Sequence, residues 1–113
     1  MKTKTILIAE DNQALLLSYK RVLGHYFKVF TASSVNTAIG VLCHDLDGEI
    51  DAVVSDYDLG DGTGADILRW VKGNRPDLPF YLCTGNQSVD LGVPTFSKPF
   101  DIQELRKVIE TRL

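Results

Sequence analysis

Five short apolar runs, separated by stretches of helical periodicity, constrain this chain more than any other feature. The runs are residues 5–9 (Thr5, Ile6, Leu7, Ile8, Ala9), Lys28 to Thr31, Asp51 to Ser55, residues 79–84, and a shorter one at 94–97. Strands in which nearly every residue is apolar, rather than every second one, are covered on both faces, as in parallel sheets. Between the runs, Leu15, Leu16, Tyr19, Val22 and Leu23 recur at helical spacing, with Gly24 as a stop. Ser33 or Ser34 caps a second helix, whose face is Val35, Ala38, Ile39, Leu42 and Cys43 and which ends at residues 45–48. Ile67, Leu68, Trp70 and Val71 mark a third helix, closed by Gly73 to Pro76, and Ile102, Leu105, Val108 and Ile109 a terminal one. Strand and helix in alternation define an α/β fold with a doubly wound parallel sheet.

One connection breaks the alternation. A parallel crossover takes a dozen or more residues, most of them helix, yet only nine, Gly85 to Val93, separate the fourth and fifth runs. The crossover helix at that point is expected to be absent or vestigial. A shortened cover should also leave apolar sheet surface bare around strands four and five.

At 113 residues the chain is read as one domain, 1–113. A net charge of −3 and the lack of a basic stripe argue against direct nucleic-acid binding. No apolar stretch approaches the ~20 residues that span a bilayer, and Met1 to Lys4 leads into a strand with no signal core, so a cytoplasmic location and no membrane contact are expected. Cys43 and Cys83 have neither metal-ligand nor redox-motif spacing and read as reduced, buried thiols. His25 and His44 have no partners at useful spacing and are placed at the surface or at helix ends. Trp70 is placed in the core or on its rim.

Chemistry gathers where the strands end. Glu10 and Asp11 follow the first strand, Asp56 the third, Thr84 the fourth, and Lys98 stands before Pro99 after the fifth. Each has an ordinary reading alone: an N-cap for Asp11-Asn12, a turn residue for Asp56, a strand end for Thr84, a solvated lysine for Lys98. Together they fall where open parallel sheets bind ligands, beyond the carboxyl ends of the strands. Carboxylates at one point suit Mg2+, which takes oxygen ligands in near-octahedral geometry. Asp11 and Asp56 would bind it directly, Glu10 directly or through a water, and a backbone carbonyl around Asp58 would complete the set. Asp56 is the candidate nucleophile toward phosphorus, with Thr84 and Lys98 meeting the phosphoryl oxygens.

On these residues the chain resembles the receiver domain of two-component response regulators over essentially its whole length. The acidic pair is Glu10-Asp11, and the phosphoacceptor stretch runs from Asp56 to Gly64. The hydroxyl residue is Thr84, and the Lys-Pro pair is Lys98-Pro99, followed by Phe100. The resemblance implies a flavodoxin-like sheet in strand order 2-1-3-4-5 and phosphotransfer to Asp56 with Mg2+. The implied donor is a phosphohistidine on a sensor histidine kinase or histidine phosphotransfer protein. The receiver would catalyse its own modification and not turn over as an enzyme.

Three positions depart from the family pattern. Gly60 stands where Pro is usual, Asp58 adds a charge two residues after the acceptor, and Thr95 replaces the aromatic three residues before the lysine. Phe96 lies one position later, and a shift of one residue along a strand reverses the face. With the missing helix, these departures imply that phosphorylation does not signal through the usual Thr-aromatic coupling and helix-four surface. A homodimer through the strand four and five side is a corollary. The alternatives are a phosphorylation-independent pseudo-receiver and a haloacid-dehalogenase-like phosphatase using Asp56 and Asp58. The phosphatase is disfavoured by Gly60 and by the lack of an acidic pair after Lys98.

Overall fold

The computed structural model describes residues 3–113. Strands β1 (Thr5–Ala9), β2 (Lys28–Ala32), β3 (Ala52–Asp56), β4 (Phe80–Thr84) and β5 (Thr95–Ser97) form one sheet in the order β2-β1-β3-β4-β5. Every pairing is parallel. Helices α1 (Gln13–Leu23), α2 (Val35–His44), α3 (Gly64–Asn74) and α4 (Ile102–Arg112) complete the fold.

Successive residues of the central strands serve opposite cores, which is why their hydrophobicity is continuous. Leu7, Ala9, Val53 and Leu82 pack with Ala38, Leu42, Ile67 and Val71 of α2 and α3. Ile6, Ile8, Val54 and Tyr81 pack with Leu16, Tyr19 and Leu23 of α1 and with Leu105 and Ile109 of α4. Fully burying each large apolar side chain contributes about 1.5–3 kcal/mol, so a sheet loaded on both faces needs both pairs of helices.

The helix ends follow their local chemistry. Asn12, Ser34 and Asp101 cap α1, α2 and α4 through their side-chain oxygens, and Thr63 with Asp66 forms a reciprocal capping box on α3. Of the two serine candidates, Ser34 is therefore the cap of α2. Gly24 ends α1 in ordinary right-handed conformation; a Cβ there would lie 2.5 Å from the Lys20 carbonyl oxygen. At the amino end of β3, Asp45 accepts from the Glu49 and Ile50 N–H groups and from Arg75 Nη1, at 2.9, 2.9 and 2.8 Å. Arg75 Nη2 also donates to the Ile50 carbonyl, tying the turn after α2 to the turn after α3.

No helix forms between β4 and β5. The connection is a series of turns, in which the Asn86 side chain accepts from Ser88 N–H and that of Asp90 from Gly92 N–H. The expected bare apolar surface is not there. Val89, Leu91 and Val93 fold back onto the α2/α3 core, and every residue of β4 is buried. Apolar residues at every second position of this turn-rich connector replace one face of a helix.

Cys83 is buried as expected, but Cys43 is exposed. Helix α2 buries Val35, Ala38 and Leu42, and Cys43, about 100° round the helix from Leu42, turns to solvent. The third strand also begins one residue later than its apolar run suggests. Asp51 instead accepts from the Thr5 N–H at 2.8 Å, and the strand ends on Asp56 itself. His25 and His44 lie at the surface, and Trp70 is half-buried at the rim of the α2/α3 core.

Candidate functional site

The carboxyl ends of β1, β3 and β4 and the residue after β5 bring Glu10, Asp56, Thr84 and Lys98 to one edge of the sheet. Backbone hydrogen bonds extend the ladder just beyond the strands. Glu10 N–H donates to the Ala32 carbonyl at 3.0 Å, and Lys98 N–H to the Thr84 carbonyl at 2.8 Å. The Lys98-Pro99 peptide is cis.

Carboxylate oxygens of Glu10, Asp11 and Asp56 all lie within 4.8 Å of one another. Their surroundings differ. Glu10 is 1% exposed and Asp56 12%, whereas Asp11 faces solvent. The Lys98 ammonium reaches into the cluster, donating to Glu10 Oε1 at 2.9 Å and lying 3.1 Å from Asp56 Oδ1. Asn12 N–H donates to the other Glu10 oxygen at 3.2 Å, and Tyr57 N–H to Asp56 Oδ1 at 2.9 Å.

Burial pushes the Glu10 carboxyl above its usual range, against the opposing pull of the Lys98 and Asn12 hydrogen bonds. Burial alone would lower Lys98, but its hydrogen bonds to Glu10 and Asp56 and their charges hold it above the usual lysine value. The ammonium therefore stays charged. Behind the site, burial drives the Cys83 thiol up to about 12, so it remains protonated and inert.

Thr84 is 2% exposed, and its hydroxyl accepts from Asn86 N–H at 3.0 Å. Asp58 lies outside the carboxylate cluster: its backbone bridges to Thr63 and its side chain is exposed. Phe96 pairs with Cys83 and packs on Phe100 at 5.7 Å on the α1/α4 side. Thr84 and Cys83 are adjacent on β4 and face oppositely, so Phe96 does not occupy the place of the missing aromatic. Thr95, paired with Leu82, holds that place and is exposed.

One further residue stands out in the loop after Asp56. Asp61 accepts from the Val35 and Asn36 N–H groups at 2.8 and 3.0 Å. Nothing local in the sequence announces this contact, because its partners lie 26 and 25 positions away.

A parallel sheet in this order, with an acidic cluster and a lysine at its carboxyl edge, defines a doubly wound α/β fold with its polar site beyond the strand ends. The response regulator receiver domain family matches residues 6–110, and the chain belongs to it. It is a receiver of the two-component type. The sensor kinase CckA of Brucella abortus is 28% identical over 118 residues, covering 96% of this chain. The DNA-binding transcriptional regulator NtrC of Azospirillum brasilense is 29% identical over 124 residues, covering 100%. The chain spans 12% and 25% of the lengths of these two relatives. A response regulator receiver domain protein from Clostridium thermocellum superposes with a TM-score of 0.88 at 26% identity, over 96% of this chain and 92% of that one. With the family established, the dehalogenase-like reading of Asp56 and Asp58 is set aside. No described helix is long and apolar enough to cross a membrane.

Proposed function

We propose that the chain accepts a phosphoryl group from a phosphohistidine onto Asp56. The observation that carries this reading is the meeting of Glu10, Asp11 and Asp56 with the Lys98 ammonium at one sheet edge. An Asp56 carboxylate oxygen attacks phosphorus, the P–N bond to the donor imidazole breaks, and its electron pair stays on that nitrogen. The product is an acyl phosphate. Lys98 would follow the new charge from Asp56 to the phosphoryl oxygens, and the Thr84 hydroxyl would donate to one of them.

The cluster fits a magnesium ion. Octahedral ligands at about 2.0–2.1 Å from the metal stand roughly 3–4 Å apart, within the 4.8 Å spread of the three carboxylates. Glu10, Asp11, Asp56 and the backbone carbonyl of Asp58 would hold it. When bound, Mg2+ supplies neutralisation of charge on the transferring group.

The donor would be a sensor histidine kinase or a histidine phosphotransfer protein, acting in the cytoplasm. One phosphoryl group would be gained per chain, with no turnover of phosphomonoesters. With no helix between β4 and β5 and with Thr95 exposed, output would not run through the usual aromatic coupling. A homodimer through that side would have to form without the bare apolar surface first expected there, because Leu91 and Val93 pack on the α2/α3 core, and light scattering at high concentration tests it.

Intact mass after incubation with acetyl phosphate, with and without Mg2+, on wild type and Asp56→Ala tests the central reading. A magnesium-dependent gain of one phosphoryl group, lost in the variant, is expected. No gain in a protein that binds Mg2+ would replace this reading with the phosphorylation-independent receiver.

A further inference from the structure

We propose that Asp61 is a positioning residue for the metal-binding edge, fastening the Asp56 loop to the same turn that meets the Glu10 backbone. This inference rests on the magnesium reading above. The loop from Tyr57 to Thr63 is closed on itself: Leu59 N–H donates to Gly62, Asp61 N–H to Leu59, and Gly64 N–H to Tyr57. Gly60, at φ +78°, takes a conformation that proline cannot adopt, so the loop is held without that ring's constraint.

Asp61 holds the loop through space. Its two carboxylate oxygens receive Val35 and Asn36 N–H, unsatisfied donors of the first turn of α2. These hydrogen bonds hold its carboxyl below the usual carboxylate range. Beside it Leu59 is 2% exposed in the α2/α3 core, and a Cβ on Gly62 would sit 3.2 Å from a Val35 methyl. The loop is therefore seated on the start of α2 by a charged chelate, a buried side chain and a close backbone approach.

The other end of the same turn meets the Glu10 backbone. Ala32, the last residue of β2, accepts from Glu10 N–H at 3.0 Å, and three residues later Val35 donates to Asp61. The β2–α2 turn thus joins the Glu10-Asp11 segment to the Asp56-Asp58 segment. Asp61 is the polar contact that closes this connection from the Asp58 side. β1 and β3 are paired directly and keep Glu10 and Asp56 together; without Asp61, the loop that carries the Asp58 carbonyl is seated on α2 by Leu59 and the Gly62 approach alone. Groups bonded directly to a metal ligand are typically worth about 10–100-fold in metal affinity, and Asp61, which bonds the start of α2 and not a ligand, should be worth less.

Calorimetric titration with Mg2+ on wild type, Asp61→Ala and Asp61→Asn tests the inference, with phosphorylation by acetyl phosphate followed across Mg2+ concentrations. Asp61→Ala should weaken Mg2+ binding severalfold, to about tenfold at most, the lower end for groups that touch a ligand directly. The phosphorylation rate at saturating Mg2+ should stay within about twofold of wild type, since an effect on binding alone leaves the saturated rate unchanged. Asp61→Asn keeps one acceptor and should recover part of the loss, whereas through-space charge attraction predicts equal losses for both. Asp45→Ala, which breaks a comparable clamp at the opposite end of the sheet, should lower stability and leave Mg2+ affinity unchanged. Wild-type affinity in Asp61→Ala, or equal losses in the Ala and Asn variants, would overturn the positioning role alone. Failure of the wild type to bind Mg2+ would overturn the site reading, and this inference with it.

Discussion

Replacing Lys98 with methionine isolates the electrostatics of the site. In the wild type the ammonium bonds Glu10 at 2.9 Å and Asp56 at 3.1 Å, and the Glu10 side chain is only 1% exposed. Methionine fills much of the same volume and leaves Glu10 buried with one backbone donor, Asn12 N–H. Removing one partner from a buried ion pair costs about 3–5 kcal/mol. Lys98 is 25% exposed, so solvent screening brings the expected loss to about 2–3 kcal/mol. For a domain of this size that corresponds to a fall in Tm of roughly 10 °C. The assay is thermal unfolding in EDTA and in excess Mg2+, for wild type and Lys98→Met. Mg2+ bound to the folded state alone stabilises by mass action. In the variant Glu10 and Asp56 lack the Lys98 ammonium, so Mg2+ should raise its Tm more than that of the wild type and narrow the gap. Equal Tm values in EDTA, or a gap that Mg2+ leaves unchanged, would refute the reasoning.

Other contacts predict further outcomes. The Asp45 carboxyl is held below its ordinary value: burial opposes this, but the Ile50 and Glu49 N–H bonds and Arg75 prevail. A depressed folded-state pKa contributes stability present above the unfolded value, 3.8, and lost as pH falls through the folded one. Stability of wild type and Asp45→Asn should therefore differ fully near neutrality and converge only as pH falls below 3.8, through the depressed folded value. Gly64→Ala would place a Cβ 2.8 Å from the Asp56 carbonyl oxygen. It should cost about 1–3 kcal/mol by denaturant melts, and slow acetyl-phosphate labelling by displacing Asp56. Thr84→Ala removes the acceptor of the Asn86 N–H and should cost about 1 kcal/mol by the same melts. A thiol reagent should label Cys43 in the folded protein, and Cys83 only after unfolding.

Strands and helices were legible because a sheet buried on both faces writes itself as uninterrupted hydrophobicity, and each helix as one repeating face. The four strand-end positions were legible for the same reason, since locating Ile6 to Ala9 or Phe80 to Cys83 also locates the polar residue at the end of each run. The nine-residue connector announced its missing helix by length alone. Its consequence for the surface was not legible. Whether Val89, Leu91 and Val93 cover the core depends on turns made by Asn86 and Asp90, and spacing alone does not give the direction of that path. Cys43 misled because helical spacing fixes a stripe but not its width. Asp61 was invisible for a different reason: its partners are N–H groups of another element, and any acidic residue in a glycine-rich loop reads the same.

The same short connector changes how the molecule comes apart. β5 has three residues, pairs only with β4, and begins eleven positions after β4 ends. No crossover helix clasps it from the α2/α3 side. Opening free energies within a protein range from near zero at weakly packed edges to the global value in the core, so β5 should be the first strand to exchange its amide hydrogens. Lys98 comes directly after that strand. An opening that reached Lys98 would take the ammonium from the site while the carboxylates stay anchored on β1 and β3. Exchange of the Lys98 amide, bonded to the Thr84 carbonyl, should therefore report how far fraying of this edge reaches into the site.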